Sequence, residues 1–208
     1  MDRSGRIGRP SPRRPDLLWL ARMAAPWTDR IGTLDVRAAL AHPELLAPPV
    51  RETLAGWPEA AQVGVAAIDP AVADTAAFCD RYGVTAEESA NCVVVAARRE
   101  GRGWLAACVV LASTRADVNG AVRRHLGARK VSFAAMETAV EESGMEYGGI
   151  TPVGLPGSWP LLVDAAVAAA PRVVVGSGVR RSKLVLPGAA LAALPGAEVL
   201  SDLARPLA

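Results

Sequence analysis

What most constrains the fold is a series of short, valine-rich apolar runs: VGVAAI (63–68), CVVVAA (92–97), WLAACVVLA (104–112), RVVVG (172–176) and KLVLP (183–187). None exceeds nine residues, far below the ~20 that a membrane span requires. Their length and β-branched content predict buried strands. WPLLVDA (159–165) and AEVL (197–200) read the same way, and ARKVSF (128–133) as a shorter strand. RREGRG joins two of the runs and has the charge and glycine of a hairpin loop. Helical segments lie between: Asp69-Pro70 opens AVADTAAFCDRYG, which Gly83 ends, and Asp117 caps VNGAVRRHLG, which Gly127 ends. AAMETAVEESG stops at Gly144, and GAALAALPG forms one more helix. Strands and helices do not alternate regularly. A mixed α/β domain on a mixed, largely antiparallel sheet is therefore expected, not a doubly wound parallel one.

At 208 residues and 51% hydrophobic, the chain can bury one full core. Three segments are expected. Residues 1–16 combine arginine, glycine, serine and proline without apolar periodicity, which predicts a disordered basic tail. Residues 17–60 form a helical lead-in, with Thr33 or Asp35 able to cap VRAALAHPELL and Pro48-Pro49 starting VRETLAGW. The main domain takes 61–208. Arg22 interrupts the apolar stretch near the N-terminus, so no signal peptide is read and the cytoplasm is the expected compartment. Residues 1–30 hold seven arginines and three aspartates, which leaves 16 basic against 18 acidic residues in the remainder. Any nucleic-acid contact by the body must then come from local clusters.

The segment YGGITPVGLP (147–156) sets three glycines and two prolines into ten residues, a preset loop that suits either a tight turn or close main-chain approach to a ligand. GSGVRRSK (176–183) follows a strand. A dinucleotide fingerprint would need glycine at Arg181 and a helix afterwards, and a phosphate-binding P-loop fails at Ser182 and Leu184. What remains is a glycine turn with Arg180, Arg181 and Lys183, suited either to a phosphate or to solvent. A second cation group is Arg115, Arg123, Arg124, Arg129 and Lys130. Aromatic residues make up only 4%, which disfavours a broad base-stacking platform. Cys79, Cys92 and Cys108 have neither metal-site nor disulfide spacing, and no serine elbow or histidine triad is present. No metal or organic cofactor is expected. An enzyme with this sequence would work by backbone donors and positioning.

Taken together, ANCVVVAA, HLGARKVSFA, ESGMEYGGITPVG, PLLVDAAV and VGSGVRRSKLVL resemble the YbaK/ProX family of aminoacyl-tRNA deacylases, related to the editing domain of bacterial prolyl-tRNA synthetases. The resemblance implies a partly barrel-like sheet with surrounding helices. It also implies trans hydrolysis of the ester of mischarged tRNA, with substrates like Cys- or Ala-tRNA(Pro). The implied partners are the acceptor end of aminoacyl-tRNA and prolyl-tRNA synthetase. By the same resemblance, Gly148, Gly149, Asn91 and Lys183 are the catalytic residues. Thr151, Pro152, Gly176, Ser177, Gly178, Arg180 and Arg181 are then substrate-binding. Family members commonly begin the first central strand with Lys-Thr-Leu or Lys-Ser-Leu, where this chain has Asn91-Cys92-Val93. Asparagine brings no charge, and Lys183 can supply the cation by a swap of places. Two readings follow: a deacylase, or an inactive member that binds tRNA acceptor ends or a small aminoacyl ligand.

Overall fold

The computed structural model describes residues 30–207; the basic tail expected over 1–16 lies outside the described residues. Strand β1 (Arg37–Ala38) leads through 3-10 turns at Ala39–Ala41 and Pro43–Leu45 into helix α1 (Pro48–Gly56), then a further turn at Pro58–Gln62 and strand β2 (Gly64–Ala67). The helix expected through VRAALAHPELL does not form. Pro43 cannot continue a helix, and the Asp35 carboxylate accepts from the Arg37 guanidinium at 2.6 Å instead of capping. Pro48 and Pro49 do start α1, whose Val50 and Leu54, one turn apart, are buried in the same apolar cluster as Trp57, Val65, Leu184 and Leu186.

Beyond β2 come a 3-10 turn (Pro70–Val72), helix α2 (Thr75–Tyr82), and the long hairpin β3 (Ala90–Arg99) and β4 (Arg102–Leu111). Glu100 and Gly101 turn this hairpin with φ of 51° and 80°, the left-handed pair that matches strand twist. Strand β5 (Thr114–Ala116) leads to a π turn (Val118–Val122) that runs into helix α3 (Arg123–His125). Asp117 caps it as expected, accepting from Ala121 N at 2.9 Å. There follow β6 (Lys130–Phe133), α4 (Met136–Ser143), the loop 144–160, β7 (Leu161–Asp164), α5 (Ala165–Ala169), β8 (Val173–Gly176), β9 (Ser182–Leu186), α6 (Gly188–Ala192), β10 (Ala197–Leu200) and β11 (Ala204–Pro206).

Among the described residues these strands form a four-stranded sheet (β1-β2-β9-β8), a five-stranded sheet (β10-β7-β4-β3-β6) and the pair β11-β5. Only β4 with β7 and β7 with β10 are parallel ladders. The fold is thus the mixed, largely antiparallel α/β arrangement expected. The two larger sheets meet at a bridge between Ser89 and Val174 without closing into a barrel. No helix among the described residues is long and apolar enough to cross a membrane.

Candidate functional site

At that seam between the sheets lies a cavity of about 550 Å³, a size usual for small-ligand sites. Its walls come from the start of β3 (Asn91 to Val94), the end of β8, the start of α2, Phe133 on β6, the loop residues Tyr147, Gly148 and Ile150, and Lys183 on β9. Ala73, Val94, Ala139 and Val174 give the lining an apolar part beside these polar groups.

Lys183 is 8% exposed on a strand whose residues are all buried. Its Nζ donates to the Ala73 carbonyl at 2.9 Å and sits 5.3 Å from the centre of the Phe78 ring. Burial, reinforced by the charge of Arg180, lowers its pKa from 10.5 to about 8, as expected where a charged form loses solvent. The same contact marks where the sequence-expected helix from Asp69 to Gly83 breaks. The chain leaves its first turn at Ala73, whose carbonyl meets Lys183, and resumes as α2 at Thr75.

Asn91 accepts a hydrogen bond from Thr75 Oγ1 at 2.6 Å through its Oδ1, which leaves its amide N–H groups for a ligand. Cys92 also lines the cavity, but burial first, and then the neighbouring Cys108, push its thiol far above the ordinary value. A thiolate nucleophile there is disfavoured. Among the described residues, no three histidine, cysteine or carboxylate side chains gather to hold a metal.

The glycine loop and the glycine turn pack main chain against main chain. Gly178 N donates to the Gly149 carbonyl at 2.7 Å. A Cβ on Gly149 would strike the Val179 backbone, and one on Gly176 would strike the Gly149 and Ile150 carbonyls. Gly148, at φ 77°, is the loop glycine that faces the cavity, in the left-handed region where a Cβ is strained. Arg180 braces this arrangement. Its guanidinium donates to the Tyr147 carbonyl at 3.3 Å and the Pro70 carbonyl at 3.2 Å, and its main-chain N donates to Glu146 Oε2 at 2.7 Å.

Of the residues singled out in the sequence, Asn91, Gly148, Gly176 and Lys183 therefore share one cavity, with Arg180 bound across its loop. Thr151 and Pro152 are buried behind it. Ser177 Oγ faces Ser182 Oγ at 2.7 Å, and Gly178 lies against Ala47, Val50 and Met145. Arg181 points away, donating to the Glu44 carbonyl at 2.7 Å. Sequence reasoning passed over Thr75, Phe133, Met136 and Tyr147, which line the same cavity. The last three are exposed large apolar residues, Phe133 by 69%. The signal available for Phe133 was an aromatic residue on a strand in a chain that has few.

No curated protein matches the chain. Among solved structures, it is similar to a candidate trans-editing enzyme for prolyl tRNA synthetase, at 24% identity and a TM-score of 0.62 over 77% of this chain and 99% of that one. It is also similar to the hypothetical protein APE2540, at 26% identity and a TM-score of 0.57 over 64% of this chain and 85% of that one. A scaffold protein used for computational epitope grafting shares the fold, at 21% identity and a TM-score of 0.65 over 76% of this chain and 97% of that one. The model of the aminoacyl-tRNA editing domain matches residues 69–194, a span that contains every cavity residue named above. The chain belongs to the aminoacyl-tRNA editing domain family.

Proposed function

We propose that this protein hydrolyses, in trans, the ester that joins a wrong amino acid to tRNA. The observation that carries this reading is the convergence on one cavity of a desolvated ammonium, Lys183, an anchored amide, Asn91, and the close-approach loop at Gly148. Attack of water on the ester carbonyl, oriented by the substrate's own ribose hydroxyl, adds oxygen to carbon and places negative charge on the carbonyl oxygen. Donors already aimed at that position stabilise the transition state by about 2.7–4 kcal/mol each in a site that excludes water. Collapse then expels the ribose oxygen, which takes the proton that the attacking water gives up. After water attack, the products are free amino acid and tRNA. A half-buried Cys92 whose thiol is held far above its ordinary pKa fits a route without a protein nucleophile.

Small uncharged side chains suit the apolar part of the lining, which supports substrates like Cys- or Ala-tRNA(Pro). On this reading the protein acts in the cytoplasm beside prolyl-tRNA synthetase. A second reading, binding of acceptor ends or a small aminoacyl ligand without catalysis, is favoured by Asn91 at the place where relatives commonly carry lysine. Incubation with a panel of labelled mischarged tRNAs separates the two. Release of amino acid that depends on Lys183 supports the hydrolase; tight binding without release supports the binder.

A further inference from the structure

Away from the cavity, the β3–β4 hairpin tip and the start of β6 enclose an open groove walled by Arg98, Arg99, Glu100, Arg102, Arg129 and Lys130. All six are exposed. The lone carboxylate is taken by Arg99, whose Nε lies 3.2 Å from Glu100 Oε1 and whose Nη1 donates to the Gly127 carbonyl at 3.3 Å. Among the described residues, the side chains of Arg98, Arg102, Arg129 and Lys130 then have no hydrogen-bond or ion-pair partner. The groove is held in shape by main chain: Arg129 N donates to the Arg98 carbonyl at 2.9 Å, and Lys130 pairs with Arg98 in the ladder. Four unpartnered cations on one held stretch of backbone repel one another and form a strong local field for a polyanion.

Three basic side chains of the α3 segment are engaged elsewhere. Arg124 pairs with Asp202, His125 with Glu198, and Arg123 donates to the Asn119 carbonyl. The sequence grouped Arg129 and Lys130 with Arg115, Arg123 and Arg124, but the fold joins them to the hairpin arginines.

β6 connects the groove to the cavity. Lys130 begins this edge strand at the groove, and Phe133 ends it at the cavity wall. Three residues of strand span roughly 10 Å, so a nucleic acid whose end enters the cavity can reach the groove within a few nucleotides.

We propose that this groove is the docking surface for the phosphate backbone of the base-paired acceptor stem of an RNA whose 3′ end occupies the cavity. This deepens the reading of the site as one for aminoacyl-tRNA, and it rests on that reading. Duplex RNA is recognised mainly through its phosphates and shape, which an unpartnered arginine cluster without stacking aromatics suits. An acidic protein would satisfy the same charges, but would leave the alignment of groove and cavity on one strand unexplained.

The test measures binding of an unacylated acceptor-stem RNA hairpin at several salt concentrations. Three proteins are compared: wild type, the triple variant Arg98→Gln/Arg102→Gln/Lys130→Gln, and a charge-matched control, Arg37→Gln/Arg51→Gln/Arg81→Gln. Thermal unfolding verifies that all three fold. The expected result is a slope of log K against log salt flatter by roughly 0.9 per lost contact in the groove variant. Its affinity should also fall by about tenfold or more, with little change in the control. Equal slopes for wild type and groove variant, equal losses in both variants, or capture of polyglutamate without RNA binding would each overturn the proposal. Deacylation by wild type is assayed separately. Groove-dependent RNA binding by a protein that releases no amino acid would uphold the groove and reject the hydrolase.

Discussion

Lys183 Nζ donates to the carbonyl of Ala73 at 2.9 Å, so the one buried ammonium among the described residues is tied to the break between two helical turns, not to a carboxylate. A carbonyl leaves the full positive charge in place, and that charge is what an ester oxyanion needs.

Replacing Lys183 with methionine keeps the volume and removes the charge. Deacylation should fall by about a hundredfold or more. Stability at pH 7 should rise, by at most the roughly 3 kcal/mol that the charged form costs the fold, less what is lost by leaving the Ala73 carbonyl without its donor. Single-turnover kinetics and urea denaturation check the two halves.

The pH dependence has opposite signs for folding and for activity. Lys183 titrates near 8 in the folded protein and near 10.5 unfolded, so between those values the unfolded chain holds more protons and stability rises with pH. The burden on the fold, about 3 kcal/mol, is present in full below pH 8 and relieved by about pH 10.5. Activity that depends on the ammonium falls as pH rises through 8. Comparing wild type with Lys183→Met between pH 7 and 10 isolates this residue, since the variant lacks the rise.

Adjacent glycines should behave differently. Gly149→Ala drives a Cβ into the Val179 backbone, which neither partner can relieve, so a destabilisation of about 2 kcal/mol or more is expected. At Gly148 the obstacle is the movable guanidinium of Arg180 together with a left-handed φ, and alanine there should cost about 1 kcal/mol. Denaturation midpoints rank the two; a Gly148 variant less stable than the Gly149 variant would contradict the packing described.

Thr75 positions Asn91 through the 2.6 Å hydrogen bond. Asn91→Ala should lower kcat/KM, and Thr75→Val should lower it in the same direction by roughly fivefold, the loss of about 1 kcal/mol of orientation. The double variant should be no worse than Asn91→Ala alone, because the hydroxyl acts only through the amide.

The strands were legible because their apolar runs are short and sharply bounded, and Gly83 and Gly144 ended helices where a left-handed residue was expected. Helix α5 was missed because its alanines continue the apolar run of β7; the signal was Asp164, which accepts from Ala166 N at 2.9 Å. At the site, the glycine loop and Lys183 stood out by composition. Their neighbours did not, because Thr75 and Phe133 reach the cavity through the pairing of distant strands and a helix break, neither of which leaves a local mark. The same holds for the groove, where Arg98 and Lys130 are 32 positions apart in the sequence and adjacent only in the ladder.

A lysine that loses its proton near pH 8 carries a far larger free-amine fraction at neutral pH than an ordinary surface lysine, by roughly 300-fold. Aldehydes and activated esters small enough for the cavity should therefore modify Lys183 ahead of the exposed Lys130, and peptide mapping after brief labelling would locate the adduct. The same chemistry sets a hazard for a protein that handles acyl esters. An amine that attacked the carbonyl would keep the amino acid as a stable amide and silence the site, so each molecule that escapes this fate does so by holding its proton until the acyl group has left.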